Sequence, residues 1–115
     1  MISNLTRKTI LAKEHTICNT LHSKAKGLMF SPKPRALIML FRPAQPVSLH
    51  MWFVFFPIDV LFLDSHQKVI CMKQSFMPFS FFKCKEKAMY VIELKKGSIA
   101  KSRTRIGDKL YFNLA

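Results

Sequence analysis

The sequence predicts a mostly β protein, a compact antiparallel β-sandwich or barrel of jelly-roll type with one or two short helices. Six or more short apolar or alternating runs are separated by turn signals at fairly regular spacing, which is typical of such folds. Half of the 115 residues are hydrophobic, enough for one core without disulfides or a metal. We therefore expect a single domain over residues 1–115, and leave open that residues 1–4 are disordered.

The first part of the chain contains predicted strands on either side of a helix and a loop. Residues 5–18 mix β-branched and basic residues with partial alternation, which favours one or two strands. Apolar residues at helical spacing predict a short helix over about residues 19–27. Two prolines within residues 31–34 predict a loop. Residues 36–41 are continuously apolar and predict a buried strand, closed by a turn at residues 42–46.

The stretch from His50 to Asp64 is the most apolar part of the chain, and it also holds a histidine and two carboxylates. Pro57 cannot donate to a strand ladder, so we expect it to divide the stretch into two strands. Asp59 has apolar neighbours on both sides in the second strand. Burying it without a partner would be costly, so it must accept hydrogen bonds, meet a cation such as Lys26, or have a raised pKa.

The remaining elements are short strands with turns between them. A turn at residues 64–67 leads into a strand over residues 68–74. Another strand is predicted over residues 89–95, and a short helix or turn opens at residues 97–98. After a turn at Gly107 and Asp108, apolar and polar residues alternate to the end of the chain, which predicts a strand with one face in water.

The chain is strongly basic, with 19 Lys and Arg against six Asp and Glu, a net charge of +13. Such a charge favours an acidic partner, either a small ligand or nucleic acid, although a surface that only keeps the protein soluble explains it as well. The central apolar stretch is too short and too interrupted to span a membrane. Three cysteines without a Cys-x-x-Cys pair predict thiols rather than a disulfide framework or a zinc site. With no secretory signal, we expect a cytoplasmic monomer.

Five short motifs stand in a fixed order along the chain: Lys26 to Phe30; Met39, Leu40 and Phe41; Met51, Pro57, Ile58, Asp59, Phe62 and Asp64; Tyr90 to Glu93 with Gly97; and Gly107 with Asp108. With them the chain resembles, over about residues 20–115, the small prokaryotic family called domain of unknown function 192, or uncharacterised protein family 0127. His50 followed by Met51 resembles its archaeal branch. The resemblance implies a compact, mostly β fold of jelly-roll type and no established activity.

The chain departs from the family pattern at several motif positions. His50 stands where many bacterial members have Trp, and Trp52 and Phe53 replace a Lys-Asn pair. Lys26 replaces an Arg, and an ammonium cannot fork onto a carboxylate as a guanidinium does. Any pocket that depends on those side chains in other members therefore differs here.

Polar residues inside apolar strands mark a candidate pocket near His50, Asp59 and Glu93. Its expected ligand is small and acidic, and the candidate ligand-binding residues are Lys26, Met51, Asp59 and Glu93. His50, Asp59 and Glu93 are also candidate catalytic residues, as an acid and base set. The alternatives are structural: Asp59 ties down a loop, and His50 belongs to the core. The spacing predicts no metal site or cofactor, and whether the protein is an enzyme stays open.

A second hypothesis is sequence-tolerant nucleic-acid binding through basic and aromatic residues. The segment 79–87 interleaves phenylalanines with lysines, and cations with exposed rings suit phosphates and bases. The candidate residues are Lys83, Lys85, Lys87, Lys101, Arg103 and Arg105. The alternative is a solvated strand whose phenylalanines belong to the core, since no nucleic-acid motif accompanies the segment.

Overall fold

The fold is that of a computed structural model, which describes residues 1–18, 35–51 and 54–114. These residues form eight strands and a short helix: β1 (Ile2–Asn4), β2 (Thr9–Ala12), β3 (Thr16–Cys18), β4 (Leu37–His50), β5 (Ile58–Leu63), β6 (Val69–Phe76), β7 (Phe81–Lys95), α1 (Ser98–Ser102) and β8 (Leu110–Phe112). One sheet has the order β2-β1-β8 and the other the order β3-β4-β7-β5-β6. β3 and β4 are parallel, and the other pairs are antiparallel.

The five-stranded sheet has apolar residues on both faces and so separates two cores. Along β7, Val91 faces the first core, whereas Ile92 and Leu94 face the second. All six residues of β5 are buried, as expected for a strand covered on both sides. The second core also takes Ile2 and Leu110 from the small sheet and Ile99 from α1.

The first core is covered by a two-stranded ribbon, which we define as residues 45–50 of β4 and 81–88 of β7. Its register runs from Gln45 opposite Ala88 to His50 opposite Phe81. The predicted turn at residues 42–46 is wrong, because β4 passes through this segment with register shifts on both sides of Gln45. Prolines are tolerated in strands at such irregularities, where a backbone donor is not needed.

Several other predictions can be compared with the described residues. The mostly β, sandwich-like fold is confirmed, and the described strands form no closed barrel. Residues 1–4 are ordered, since β1 lies in the centre of its sheet and Ile2 is fully buried. The predicted helix at 19–27 and loop at 31–34 lie outside the described residues. No helix in the described part of the chain is long and apolar enough to cross a membrane.

The turn predicted at residues 64–67 is confirmed. Asp64 Oδ1 accepts hydrogen bonds from the backbone amides of His66 (2.8 Å) and Lys68 (3.0 Å). An aspartate that satisfies amides two and four residues ahead is a common way to close a tight turn. β5 is thereby joined to β6 by a local signal that the sequence contains in full.

Candidate functional site

Asp59 lies in β5 with 1% of its surface exposed, and its carboxylate accepts three backbone hydrogen bonds. Oδ1 accepts from Ser75 N at 2.9 Å. Oδ2 accepts from Gly97 N at 3.1 Å and Ile99 N at 2.9 Å. The hydrogen-bonding alternative for Asp59 is therefore confirmed, and its role is to tie β5 to β6 and to the start of α1. Lys26, its predicted cation, lies outside the described residues.

Two irregular backbone segments present these amides to Asp59. In the β5–β6 pairing, Ile58 lies opposite Phe76 and Val60 opposite Lys73, so two residues of β6 face Asp59. This is a β-bulge, and its second residue, Ser75, has a φ of 51°, which turns an amide away from the ladder. At the other site, Gly97 has a φ of 91° at the start of α1, a conformation that glycine adopts without strain.

Asp108 is a second buried carboxylate with three donors, all on Oδ2: Asn4 Nδ2 at 3.0 Å, Arg7 Nε at 3.1 Å and Arg105 N at 3.0 Å. Burial acts to raise the pKa of Asp108, but the hydrogen bonds from Asn4, Arg105 and Arg7 and the Arg7 charge outweigh it. The pKa of this carboxyl therefore lies below its ordinary value. Asp108 joins the end of β1 to the loop after α1.

Asn4 extends the network around Asp108. Its Nδ2 also donates to Thr104 Oγ1 at 3.0 Å, and its Oδ1 accepts from Arg7 N at 2.9 Å. Thr104 Oγ1 in turn lies 2.7 Å from Ser102 Oγ. Asn4, Ser102 and Thr104 are all buried. Because each polar atom of this group has a partner, the network holds the loop after α1 rigidly against β1.

An open cleft of about 580 Å³ lies between these two anchored regions; its lining residues are Thr6, Arg7, Gln74, Ile99, Ala100, Arg103, Thr104 and Arg105. Ile99 is held by Asp59, and Gln74 precedes Ser75, which is held by the same carboxylate. Arg7 and Arg105 are held by Asp108. Arg7, Arg103 and Arg105 therefore line the cleft on a backbone fixed by two carboxylates, and no acidic residue is among the lining residues that the structure describes.

Glu93 is buried, but on the other face of the sheet from Asp59. In the β5–β7 pairing, Asp59 lies opposite Leu94 and Val60 opposite Glu93, so Glu93 faces the first core and Asp59 the second. Among the described residues, Glu93 Oε1 has no hydrogen-bond donor. Burial raises the pKa of Glu93 to about 7.

His50, the last residue of β4, pairs with Phe81 at the start of β7, whereas Glu93 is near the end of that strand. His50 is exposed. Met51 is buried in the first core. The structure therefore does not bring His50, Asp59 and Glu93 into one pocket: one is on the outside of the ribbon and the other two are on opposite faces of the sheet. Within the described residues, no three His, Cys, Asp or Glu side chains are grouped to hold a metal ion.

The six basic residues predicted to bind nucleic acid fall into two places. Lys83, Lys85 and Lys87 lie on β7 in the ribbon. Lys101, Arg103 and Arg105 lie on α1 and just after it, beyond the other end of β7. Of these, Arg103 and Arg105 line the cleft. Arg7 was not predicted from the sequence, because its position depends on its pairing with Asp108, 101 residues away.

The fold and the site define the class of this protein. It is a small β-sandwich protein with two cores and an arginine-lined cleft. The family model of DUF192, described as "Uncharacterized ACR", matches residues 3–112. The chain therefore belongs to this family of uncharacterised proteins.

Curated relatives agree with this membership, and solved structures share the fold. A UPF0127 protein of Thermococcus sibiricus is 31% identical over 96% of this chain and 73% of its own length. A UPF0127 protein of Pyrococcus horikoshii is 31% identical over 96% of both chains. Two crystal structures share the fold at a TM-score of 0.80 and 22% identity. A protein of unknown function from Novosphingobium aromaticivorans matches over 85% of this chain and 74% of its own. A putative transcription regulator from Sinorhizobium meliloti matches over 84% and 79%.

Proposed function

We propose that the protein binds a small, multiply charged anion, such as a compound with a di- or triphosphate group, in the arginine-lined cleft. The observation that carries the proposal is that Arg7, Arg103 and Arg105 line one cleft whose described lining residues include no Asp or Glu, although Asp108 forms an ion pair with Arg7. Guanidinium groups bind phosphate and carboxylate groups with paired, charge-assisted hydrogen bonds. This keeps the acidic ligand expected from the sequence and moves its site to the other end of the sheet from His50.

The buried carboxylates favour a site built for binding. Asp59 accepts hydrogen bonds from backbone amides, and Asp108 accepts them from the Arg105 amide and from the side chains of Asn4 and Arg7. In this arrangement Asp59 positions the cleft walls and does not itself contact a ligand. Fixed walls lower the cost of ordering the site when an anion binds. An acid and base role for His50, Asp59 and Glu93 together has no such geometric support, so a binding protein is preferred to an enzyme.

Titration with tripolyphosphate by isothermal calorimetry tests the proposal. The variant Arg103→Gln/Arg105→Gln removes the guanidinium groups of two residues that line the cleft. It keeps the backbone amide of residue 105, which donates a hydrogen bond to Asp108. We expect it to bind at least roughly tenfold more weakly, which corresponds to about 1.4 kcal/mol. The matched control Lys83→Gln/Lys85→Gln removes the same charge from the ribbon and should change the affinity less than about twofold.

Equal weakening in both double variants would show diffuse attraction by the net charge and would contradict a cleft site. Binding that neither variant weakens would place the anion elsewhere. The cytoplasmic location and monomeric state predicted from the sequence belong with this proposal. A phosphorylated metabolite is a cytoplasmic ligand, and the monomeric state stays a prediction.

A further inference from the structure

Exposed aromatic residues lie at one end of the ribbon. This is the end of β7 that is farther from the cleft. Phe55, Phe79 and Phe81 expose 62%, 54% and 68% of their surface, and Met77 exposes 55%. We define these four residues as the aromatic patch. Single exposed apolar residues are ordinary, but a group of this kind on two loops joined by the Phe55–Phe79 ring contact, and at the start of β7, marks an interaction surface.

The aromatic patch is held in place by backbone hydrogen bonds. Phe79 N donates to Met51 O, and Met51 N donates to Ser80 O, both at 2.8 Å. Phe79 has a φ of 60°, a costly conformation for a bulky residue. The Phe55 and Phe79 rings meet edge to face, with centroids 6.0 Å apart. Phe55 and Phe79 are therefore held against each other while more than half of the surface of each stays exposed.

Lysines continue the aromatic patch along the outer face of the ribbon. Phe81 lies opposite His50 and Lys83 opposite Ser48, and side chains two residues apart on a strand share a face at a spacing of roughly 6.6 Å. Lys83 and Lys85 are exposed, and the buried residue between them, Cys84, faces the first core. Glu86 is the acidic residue of this segment. The surface is thus a row of rings followed by a row of cations.

We infer that this face of the ribbon binds single-stranded nucleic acid, with bases stacked on Phe79 and Phe81 and phosphates near Lys83 and Lys85. Exposed rings beside cations are the usual platform for unpaired bases, because every base has a face that stacks and every nucleotide a phosphate. The lysines favour nucleic acid over other partners of an apolar surface. They follow the strand and would match a phosphate chain lying along it. This surface is separate from the arginine-lined cleft.

Fluorescence anisotropy with a labelled 12-nucleotide oligo(U) tests the inference. The variant Phe79→Ala/Phe81→Ala should bind at least roughly tenfold more weakly, since losing a stacked base costs about 1–3 kcal/mol. Tyr111→Ala, which removes an aromatic residue 55% exposed on β8, is the matched control and should bind as the parent does. Lys83→Gln/Lys85→Gln should lower the slope of log affinity against log salt by about 1.4, or about 0.7 per phosphate contact on a single strand.

Several outcomes would overturn the inference. One is no binding at 50 mM salt, and another is binding that the lysine variant weakens and the phenylalanine variant does not. A third is binding to vesicles of phosphatidylcholine with 30% phosphatidylserine, lost in the phenylalanine variant, without binding to oligo(U); this would make the patch a membrane contact. Lys95→Gln/Lys96→Gln, two exposed cations outside both the ribbon and the cleft lining, should leave oligo(U) affinity within about twofold, so an effect of Lys83 and Lys85 is distinguished from a loss of net charge. Thermal melts of each variant check that the fold is intact.

Discussion

Asp59 and Glu93 are buried on opposite faces of one sheet, and they differ in the hydrogen-bond donors around them. Asp59 meets three amide donors, whereas Glu93 Oε1 meets none among the described residues. The sequence identifies both as acids within apolar strands. It cannot tell them apart, because the donors to Asp59 come from a bulge and a loop 16 to 40 residues away. The amide donors satisfy the buried Asp59 side chain, whereas a buried carboxyl without donors, such as Glu93, is easier to bury as the neutral acid.

Glu93 should make the stability depend on pH. Its pKa is about 7 in the folded protein against an ordinary 4.5, so between these values the native state binds more protons than the unfolded state. The free energy of unfolding should therefore fall as the pH rises from 4.5 to 7, by about 3 kcal/mol in total. Glu93→Gln removes this dependence and should make the protein more stable than the parent at pH 8.

Urea unfolding at pH 5 and pH 8 measures this effect. Glu86→Gln, on the same strand but exposed, is the matched control and should leave the parent's pH dependence unchanged. A Glu93→Gln protein that is less stable than the parent at pH 8 would contradict the prediction, and would show instead that Glu93 is ionised and held by a cation.

At the scale of the elements, local signals identified β5, β6 and the turn between them, but they wrongly predicted a turn at residues 42–46 and a strand directly before Pro57, where residues 54–57 form none. Pairing between distant strands was not accessible. β5, β6 and the turn between them follow from Pro57, the apolar run and Asp64. The passage of β4 through Pro43 and Pro46 does not, because it depends on β7, the partner strand that holds this segment in the sheet. The cleft was missed for the same reason: Arg7 and Asp108 are close only once β1 has paired with β8.

The bulge in β6 should respond to glycine in the opposite way from a regular strand. Ser75 has a φ of 51°, where an L-residue with a Cβ is strained by about 1–2 kcal/mol. Ser75→Gly relieves this strain and should keep or raise the free energy of unfolding, by up to about 1 kcal/mol. Ser75→Val should lower it by about 1–2 kcal/mol, because a β-branched residue fits this conformation poorly.

Ser48→Gly is the control for the bulge, because Ser48 is exposed in the paired part of β4. There glycine should cost about 0.5–1 kcal/mol. Chemical denaturation of the three variants gives the comparison. A loss of stability in Ser75→Gly equal to that in Ser48→Gly would mean that the backbone at residue 75 is not in the left-handed region.

Across the whole molecule, the burial of acidic residues makes the surface more basic than the sequence as a whole. Three of the six acidic residues, Asp59, Glu93 and Asp108, are buried. Among the described residues, the surface therefore has Glu14, Asp64 and Glu86 to set against fifteen exposed Lys and Arg. Asp59 and Asp108 are used in the interior to fix loops, and this leaves most of the exposed cations without a carboxylate partner. The same arrangement that builds the cleft thus makes the surface attractive to anions and repulsive to itself.

This self-repulsion should make the protein more stable in salt. Raising NaCl from 20 mM to 500 mM at pH 7 screens the surface charges, and we expect the melting temperature to rise by about 4–8 °C, equivalent to about 1 kcal/mol in a domain of this size. The control is Lys13→Glu/Lys96→Glu, two exposed positions; its two reversals subtract four charges, so the net charge falls from +13 to +9. Its melting temperature should start higher at 20 mM NaCl and rise less. A melting temperature that is flat or falls with salt in the parent would show that paired charges, such as Arg7 with Asp108, outweigh the repulsion between unpaired ones.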